Sequence, residues 1–540
     1  MRTPLLVAIP KVVAGALLSL GAPELGVRAL GAQDAAAAPR PSLVVVLTVD
    51  QMRGDYLERF GAHLAGGLGR LVREGAVFTN AHQDHAITET APGHASILSG
   101  RFPRSTGIMA NLLGAGDPSV RLLGSAGPGA SPARFRGSTL ADWMMRHDAR
   151  TRVLSVAGKD RGAILPVGRA RASVFWYADD GVFTTSSWYA DTLPAWVRAF
   201  NAASPARAYA GRSWSLVLPD SAYPEPDSSM FESWGRSATF PHQLATNETH
   251  AAANLRGFPF LDELTLDFAL EGVRAMGLGR GPATDLLAVS LSATDAIGHR
   301  FGPDSREIHD QVVRLDRRIG HFLDSLFAQV EPGRVVVVLT GDHGVSPFVE
   351  TTYIEGAPMA TYVDARPALH EARKVLWRSR VDTLVVAFDY GLLLMDAKGL
   401  RRLGISPAAV VDRFSEEVLR IPGVMRVDRV RSLEKLARDG DAIARRWLHT
   451  LPPGVSVEAV VTLTPHSVWG DQLMAIHGSP HEYDTNVPLV LWGAGIRPGR
   501  SDAFVRVVDI APTLARLVGV EPAERIDGVV LEDALGDHGH

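Results

Sequence analysis

The sequence predicts an α/β protein built on a doubly wound, mainly parallel β-sheet. Continuous runs of β-branched and other apolar residues recur along the chain, which is typical of strands buried on both faces. These runs alternate with segments of helical apolar spacing, as in parallel sheets that are covered by helices on both sides. The predicted strands are residues 43–49, 152–156, 286–291, 335–339 and 488–492.

Helices are predicted between and after these strands, over residues 141–146, 308–326 and 508–518. A further short helix is expected after Thr90, because Pro92 suits a first helical turn and Gly100 is placed to end the helix. Thr90 is therefore predicted just before a helix N-terminus, where free backbone N–H groups attract anions such as phosphate.

Polar side chains follow four of the predicted strands. In open α/β sheets, ligands bind outside the carboxyl ends of the strands, so we expect these side chains to share one site. They are Asp50, Lys159 with Arg161, Asp295, and Asp342 with His343. A purely structural role predicts no such coincidence, and the pattern therefore indicates a functional site.

Three aspartates and three histidines form a candidate metal-ligand set. Asp295 and His299 are four residues apart and so share one face of a helical turn. Gly341 and Gly344 flank Asp342 and His343, and we expect these glycines to let the backbone turn and aim both side chains inward. Oxygen and nitrogen ligands in this number suit two zinc ions about 4 Å apart. The full set is Asp50, Asp295, His299, Asp342, His343 and His477.

Composition narrows the functional classes. The 540 residues contain no cysteine, which excludes disulfides, thiolate nucleophiles and cysteine-based zinc sites. A formal net charge of −4 gives no sign of a nucleic-acid scaffold partner or of a polybasic membrane surface.

The N-terminal segment predicts a signal peptide and leader over residues 1–38, because Arg2 and Lys11 precede an apolar run at 12–20. We therefore expect a periplasmic or secreted protein without a membrane span in its mature form.

The remainder, residues 39–540, is predicted to be one catalytic domain with two insertions. Residues from about 175 to 260 are rich in Trp, Tyr, Ser and Pro and indicate a loop-rich insertion. Residues from about 360 to 475 indicate a compact α+β insertion that acts as a cap. Within it we expect strands at 391–395, 424–430 and 455–462 and a helix at 408–419.

Together the motifs resemble the alkaline phosphatase superfamily. The resemblance is to its threonine-nucleophile branch, which includes nucleotide pyrophosphatase/phosphodiesterases and a group of monoesterase alkaline phosphatases. The motifs follow one another between residues 43 and 520, and as an ordered set they are specific. They are residues 48–53, Thr90-Ala-Pro-Gly-His94, Asp295-x-x-x-His299, Gly341-Asp-His-Gly344 and residues 477–488.

The resemblance implies an alkaline phosphatase-like core that binds two Zn²⁺ ions. Thr90 would attack phosphorus and form a phosphothreonine intermediate. Thr88 is the alternative nucleophile, and the spacing to Pro92 and His94 favours Thr90. One zinc ion would be held by Asp295, His299 and His477, and the other by Asp50, Asp342, His343 and the Thr90 oxygen.

Asn111, Lys159 and Arg161 favour a monoester substrate. A monoester dianion has one more unesterified oxygen than a diester, so additional donors discriminate in its favour. The amide of Asn111 can donate to that oxygen, and the Arg161 guanidinium can hold two oxygens at once. The combination also resembles the monoesterase members of the branch. We therefore predict an exported zinc-dependent alkaline phosphatase that releases inorganic phosphate from phosphate monoesters, and we expect a monomer.

Two other functions remain open at the level of sequence. One is a phosphodiesterase or nucleotide pyrophosphatase, and the other is a non-catalytic exported protein that retains the metal site for stability. A sulfatase is disfavoured, because its formylglycine precursor requires Cys or Ser at the position that Thr90 occupies.

Overall fold

The computed structural model describes residues 40–236, 239–352, 359–377 and 385–536. The predicted signal peptide and leader, residues 1–38, lies outside the described residues. Within the described ranges, no helix combines the length and the apolar character needed to cross a bilayer.

The strands are β1 (Leu43–Val49), β2 (Ala76–Phe78), β3 (Ala81–His82), β4 (Val153–Ala157), β5 (Ser173–Tyr177), β6 (Phe183–Thr184), β7 (Ser213–Trp214), β8 (His242–Gln243), β9 (Asp285–Leu291), β10 (Val335–Gly341), β11 (Tyr362–Val363), β12 (Val386–Asp389), β13 (Leu392–Met395), β14 (Val424–Arg429), β15 (Val457–Leu463), β16 (Val468–Trp469), β17 (Leu489–Gly493), β18 (Gly499–Ser501) and β19 (Val505–Arg506).

The helices are α1 (Tyr56–Arg59), α2 (Gly67–Glu74), α3 (Thr90–Ile97), α4 (Pro103–Thr106), α5 (Leu140–His147), α6 (Asp160–Ile164), α7 (Ala195–Ala202), α8 (Glu248–Asn254), α9 (Phe260–Met276), α10 (Ala293–Phe301), α11 (Arg306–Phe327), α12 (Arg366–Trp377), α13 (Ala397–Arg402), α14 (Pro407–Val418), α15 (Val430–Arg438), α16 (Ala442–Thr450), α17 (Glu482–Thr485) and α18 (Ile510–Val518).

A nine-stranded sheet forms the core, in the order β18-β2-β17-β10-β1-β9-β4-β5-β6. Its centre is parallel, because β1 pairs in parallel with β10 and β9, and β4 pairs in parallel with β9 and β5. The predicted strand at 488–492 corresponds to β17, which runs antiparallel to β10. The predicted fold class, a mainly parallel α/β sheet, is confirmed.

Helices cover both faces of this sheet. Side chains of β1 alternate between two apolar clusters: Leu43, Val45 and Leu47 belong to one, and Val44 and Val46 to the other. The first cluster includes residues of α2, α9 and α11, and the second includes residues of α3, α5 and α18. Burial of β1 on both sides explains why its sequence is a continuous apolar run and does not alternate.

A second, smaller unit is inserted between β11 and β16. Its four-stranded antiparallel sheet has the order β12-β13-β15-β14. Helices α12 and α14 pack on one face, while α15 and α16 pack on the other together with Ala86, Ile87 and Met109 of the main unit. We call β12–β15 with α12–α16 the cap. Its elements match the strands and the helix that the sequence predicts for this segment.

Three boundaries differ from the sequence prediction. The stretch predicted as the first insertion begins with β5 and β6, which belong to the central sheet, so the irregular region follows them. Thr90 is the first residue of α3, preceded by Glu89 at the N-cap, and does not lie before the helix. Helix α3 ends at Ile97, and Gly100, with a φ of 64°, lies beyond the C-cap residue Leu98.

Candidate active site

The predicted site residues meet at one edge of the central sheet. Strands β10, β1, β9 and β4 are adjacent and parallel, so their carboxyl ends lie side by side. Asp50 directly follows β1, and Asp342 and His343 directly follow β10. Asp295 lies in the first turn of α10 after β9, and Lys159 precedes α6 after β4. The topology alone therefore brings these side chains together.

Helix α3 carries Thr90 into the same place, and all of its residues are buried. Gly93 lies directly against the backbone of Asp342, where a Cβ atom would collide with the Asp342 carbonyl group. A glycine at this position therefore lets the helix approach the end of β10. Gly341 and Gly344 serve the same purpose. They were predicted to turn the backbone, but neither has a left-handed φ, and the space beside each is filled by backbone of Met52 or Tyr483.

Three histidines turn their Nε2 atoms toward the cluster and their Nδ1 atoms away from it. Nδ1 of each lies at hydrogen-bonding distance from a backbone carbonyl oxygen. A carbonyl oxygen can only accept, so Nδ1 carries the hydrogen and Nε2 keeps its lone pair for a ligand. The pairs are His299 with the Ala475 oxygen at 2.6 Å, His343 with the Gly344 oxygen at 2.9 Å, and His477 with the Thr88 oxygen at 2.8 Å.

Each Nε2 atom faces carboxylate oxygens. Asp295 Oδ1 lies 3.2 Å from His299 Nε2 and 3.5 Å from His477 Nε2. His343 Nε2 lies 3.5 Å from Asp50 Oδ1 and 3.6 Å from Asp342 Oδ2. The atoms form two groups compact enough for a metal ion, and His343 belongs to both. The groups are Asp50, Asp342 and His343, and Asp295, His343 and His477.

The charge balance of the cluster fits bound cations. Both carboxylate oxygens of Asp50 are buried and accept no hydrogen bond of regular geometry. Lys159 Nζ lies 2.6 Å from Asp50 Oδ2 and 2.6 Å from Asp295 Oδ2. Asp342 is buried as well, so three carboxylates crowd one buried site, and their mutual repulsion favours a bound cation. The donor set, three imidazole nitrogens and three carboxylates, is that of a divalent transition-metal site.

The ionisation of the cluster reflects the same imbalance. Burial and the charge of Asp342 raise the pKa of Asp50 to about 6. Burial would also raise the pKa of Asp295, but Lys159 and His299 hold it well below its usual value. Burial opposes protonation of His477, yet its hydrogen bond to Asp295 raises its pKa to about 9. Bound cations would displace these protons, because metal ligands must be deprotonated.

Thr90 and not Thr88 faces the cluster. Thr90 Oγ1 lies 3.4 Å from His343 Nε2, whereas the Thr88 hydroxyl donates to the Ser479 carbonyl oxygen at 2.9 Å. His94, one turn further along α3, lies 2.9 Å from the Thr90 carbonyl oxygen and 3.1 Å from Asp342 Oδ2. This geometry favours Thr90 as the nucleophile and gives His94 a supporting position.

Asn111 lies beside the nucleophile. Its Oδ1 accepts a hydrogen bond from the backbone N–H of Ala91 at 2.8 Å, and its own backbone N–H donates to Glu89 Oε2 at 2.5 Å. Because the amide oxygen is engaged, the Nδ2 group is the part of the side chain that can donate to a ligand at Thr90.

Arg161 lies farther out than Lys159. Both residues line a cavity of about 430 Å³, and the Arg161 side chain is 29% exposed. Its Nε atom is buried and has no hydrogen-bond partner. Its Nη1 atom lies 3.8 Å from Asp160 Oδ1, beyond hydrogen-bonding distance, so the guanidinium group can still donate to an anion that enters this cavity.

Helix α16 of the cap supports the segment that leads to the nucleophile. The Thr450 hydroxyl accepts a hydrogen bond from the backbone N–H of Ala86 at 2.8 Å. Arg445 Nε lies 3.0 Å from Asp84 Oδ2, and Arg446 donates to the Pro480 carbonyl oxygen at 2.5 Å. The cap therefore contacts both the nucleophile segment and the loop that carries His477.

Two site residues escaped the sequence analysis. Gln51 is fully buried, donates its backbone N–H to Asp342 Oδ1 at 3.0 Å and its Nε2 to Asp295 Oδ1 at 2.9 Å. Its left-handed φ of 66° is a tertiary feature, and the only available signal was its position next to Asp50. Asp484 accepts hydrogen bonds from the Ser479 N–H and hydroxyl at 2.8 and 2.6 Å and so fixes the loop after His477.

Comparisons with known proteins agree with this geometry. Residues 44–421 match the family model described as type I phosphodiesterase / nucleotide pyrophosphatase. The chain is 30% identical over 540 residues to alkaline phosphatase PafA of Elizabethkingia meningoseptica, covering 94% of this chain and 97% of that protein. It is 32% identical over 543 residues to alkaline phosphatase PhoK of a Sphingomonas species, covering 93% and 92%.

The fold is also that of a solved relative. The crystal structure of wild-type PafA matches with a TM-score of 0.85 at 29% sequence identity, covering 93% of this chain and 100% of that chain. The cap and the central sheet both fall within a match of this extent.

Proposed function

The chain belongs to the type I phosphodiesterase / nucleotide pyrophosphatase family, and from this premise we propose that it is an exported, zinc-dependent alkaline phosphatase. It hydrolyses phosphate monoesters through a phosphothreonine intermediate. The family resemblance read from the motifs is confirmed, and two relatives that match 94% and 93% of the chain are named alkaline phosphatases.

One observation carries the proposal. The hydroxyl of Thr90 lies at the start of a buried helix, 3.4 Å from a histidine that itself faces two buried carboxylates. A hydroxyl in such a position is adjacent both to a cation site and to the N-terminal end of a helix dipole, which together favour a phosphoryl group.

The zinc ions would be held by two ligand sets, one of which includes His299, whose Nε2 faces Asp295, in place of His343 of the compact group. Asp295, His299 and His477 would hold one ion, and Asp50, Asp342, His343 and the Thr90 oxygen the other. When bound, the ions would lower the pKa of the threonine hydroxyl and of water and would neutralise charge on the leaving oxygen. The three Nδ1 hydrogen bonds to backbone carbonyls keep the imidazole rings in the orientation that this binding requires.

The chain's own residues then define two steps. Thr90 loses its proton to water, and its oxygen attacks phosphorus while the bond from phosphorus to the alcohol oxygen breaks. The alcohol leaves with the bonding pair and takes up a proton. A water molecule next attacks the phosphothreonine, which breaks the bond to Thr90, restores its hydroxyl and releases inorganic phosphate.

Donors around Thr90 favour the monoester. Asn111 has its Nδ2 group free beside Thr90, and Arg161 lines the neighbouring cavity with its Nε atom unpartnered and its Nη1 atom 3.8 Å from Asp160. These groups match the one additional unesterified oxygen of a monoester dianion, which a diester lacks. Lys159 lies between Asp50 and Asp295 and supplies further positive charge to the same side of the site.

A comparison of two substrates tests the proposal. We expect kcat/KM for p-nitrophenyl phosphate to exceed that for bis(p-nitrophenyl) phosphate by several orders of magnitude, and a chelator to abolish both activities. A phosphodiesterase or nucleotide pyrophosphatase is the second candidate, favoured by the description of the family model, and the reverse preference would establish it. Turnover that is unaffected by chelation would contradict the zinc-dependent mechanism.

Export is tested separately. The predicted leader at residues 1–38 should be absent from the mature protein, which N-terminal sequencing of protein from the periplasm or the medium would reveal. An intact N-terminus on active protein that stays in the cytoplasm would refute export but leave the chemistry untouched.

A further inference from the structure

A cavity of about 470 Å³ lies between the cap and the loop that carries His477. We call it the cap cavity. The mechanism above assigns no role to it, although its size is that of a small-molecule binding site.

The cap cavity adjoins the nucleophile. Its wall includes His477 and Ser479. Two hydrogen bonds join this wall to Thr88, one from His477 Nδ1 to the Thr88 carbonyl oxygen at 2.8 Å and one from the Thr88 hydroxyl to the Ser479 carbonyl oxygen at 2.9 Å. Thr88 is two residues before Thr90, so a ligand in the cavity lies beside the phosphate site.

The cap contributes aromatic surface to the cavity. Phe388, Tyr390, Trp447 and Trp469 all line it. Tyr390 is 54% exposed at the turn between β12 and β13, and Phe388 packs edge-on against Trp469 with ring centroids 5.0 Å apart. The indole N–H of Trp447 is already donated to Thr462. These residues offer π-faces and few polar atoms of their own.

The charged residues of the cavity are predominantly acidic. Asp364, Asp389, Asp471 and Asp484 line it, and Arg366 pairs with Asp364 at 2.8 Å. In the described part of the chain, neither Asp389 nor Asp471 has an ion-pair partner within 4.0 Å, although the charge of Asp471 also acts on Arg366.

A buried acceptor is a second and independent sign of a ligand. Asp484 is 1% exposed, and its Oδ2 is occupied by Ser479. Its Oδ1 atom is buried without a hydrogen-bond partner. A buried carboxylate oxygen left unsatisfied is costly, and a donor or cation in the cavity would satisfy it.

We propose that the cap cavity binds an organic ammonium group. Aromatic faces and unpaired carboxylates attract such a cation through cation–π and Coulomb interactions, whereas they disfavour an anionic group. The ammonium group belongs either to the alcohol portion of a phosphate monoester or to a free ammonium compound. In the first case the inference rests on the proposed function.

Substrate pairs test the first source. Choline phosphate and 3,3-dimethylbutyl phosphate have the same shape, but only the first carries a positive charge. Because the two alcohols also differ in acidity, the readout is the change in their kcat/KM ratio when the cavity is altered. We expect the ratio to fall about tenfold in Tyr390→Leu and in the double variant Asp389→Asn/Asp471→Asn. The side chains of Tyr390, Asp389 and Asp471 are exposed, so the substitutions should not prevent folding.

Two controls accompany the measurement. Asp439→Asn removes an exposed carboxylate of the cap that does not line the cavity, and it should leave the ratio unchanged. Turnover of p-nitrophenyl phosphate should persist in every variant. Its failure in the wild-type enzyme would count against the proposed function and would leave the second experiment intact.

Direct binding tests the second source. Saturation transfer from the protein to the methyl protons of choline should appear with the wild type, weaken in both cavity variants and be missing for 3,3-dimethylbutanol.

The two experiments together decide the outcome. A kcat/KM ratio that falls in the variants assigns the cavity to substrate. A constant ratio with choline binding lost in the variants assigns it to a free ammonium compound. If neither the ratio nor choline binding responds, the proposal is overturned.

Discussion

The hydroxyl oxygen of Thr90 lies 3.4 Å from Nε2 of His343, and this nitrogen has no hydrogen to donate. The Nδ1 atom of His343 is committed to the Gly344 carbonyl oxygen at 2.9 Å, so the Nε2 lone pair points toward the threonine. Burial and the neighbouring His477 lower the pKa of His343, which keeps the ring neutral. The backbone thus holds the proposed nucleophile, Thr90, beside the proposed metal ligand, His343.

Replacement of Thr90 by alanine should remove the chemical step. We expect kcat/KM for p-nitrophenyl phosphate to fall at least about 1,000-fold, because the neighbouring hydroxyl, that of Thr88, is bonded to Ser479 and cannot take over the attack. Zinc content measured by mass spectrometry should stay near the wild-type value, since six other ligands remain. Thr90→Ser is the matched control and should retain turnover. Undiminished activity in Thr90→Ala would show that Thr90 is not the nucleophile.

Replacement of Arg161 by alanine should separate the two ester classes. We expect a loss of about 100-fold in kcat/KM for the monoester and at most about threefold for the diester, because the guanidinium serves the additional oxygen of the dianion. Arg256 lines the same cavity but is engaged with the Tyr177 carbonyl oxygen and Asp179, each at 3.1 Å. Arg256→Ala should therefore have little effect on either ester. Equal losses on both esters in Arg161→Ala would refute the assigned role.

Asn111 has two roles that two substitutions can resolve. Asn111→Asp keeps an oxygen for the N–H of Ala91 but loses the Nδ2 donor, whereas Asn111→Ala loses both. Both variants should lose monoesterase activity about tenfold or more. The free energy of unfolding, measured by thermal unfolding, should fall by about 1 kcal/mol in Asn111→Ala and should not fall in Asn111→Asp. Equal melting temperatures for the two variants would mean that the hydrogen bond to α3 contributes nothing.

Most of the core could be predicted because its physics is local. Strands β1, β9 and β10 are buried on both faces, so their sequences are apolar runs that can be recognised directly. Parallel pairing of these strands then places Asp50, Asp295 and Asp342 at one edge of the sheet. The direction of β17 was not available from its sequence, because an apolar run of five residues reads the same in either orientation.

The features of the site that could not be predicted from the sequence depend on contacts between residues far apart in the chain. Gln51 bridges Asp342 and Asp295, which are separated from it by 291 and 244 residues, and no local pattern encodes such a bridge. Gly341 and Gly344 illustrate a related limit. Their presence signalled a backbone requirement, but whether a glycine provides a turn or a close approach is decided by what packs against it.

Metal removal should destabilise the protein as well as inactivate it. Without cations, the negative charges of Asp50, Asp295 and Asp342 repel one another in one buried site, where Lys159 contacts the first two. Ligands that bind the folded state stabilise it by about 4 kcal/mol when present at 1,000 times their dissociation constant. We therefore expect chelation to lower the melting temperature by several degrees, and zinc, more than magnesium, to restore both stability and activity. An unchanged melting curve after complete removal of metal would contradict this site.

A pH-dependent stability difference should reveal the ion cluster that joins the cap to the nucleophile segment. Asp84 is 1% exposed and contacts Arg445 at 3.0 Å, Arg446 at 3.5 Å and His449 at 3.3 Å. Burial alone would raise its pKa, but the hydrogen bonds of His449 and Arg445 outweigh burial and lower it to about 2. A carboxyl group whose pKa is lowered in the folded state binds fewer protons there than in the unfolded chain. Its contribution, about 2 kcal/mol, is therefore present above pH 4 and is lost as the pH falls toward 2.

Asp84→Asn should accordingly be less stable than the wild type by about 2 kcal/mol in urea unfolding at pH 7, and the difference should shrink between pH 4 and pH 2. Loss of zinc at low pH affects both proteins and cancels in the difference. Asp439→Asn, which removes an exposed partner of Lys435, should change stability little at any pH. A difference that stayed constant down to pH 2 would mean that Asp84 acts through packing and not through its charge. The cluster would then fix the position of the nucleophile segment by shape alone, and salt should not weaken it.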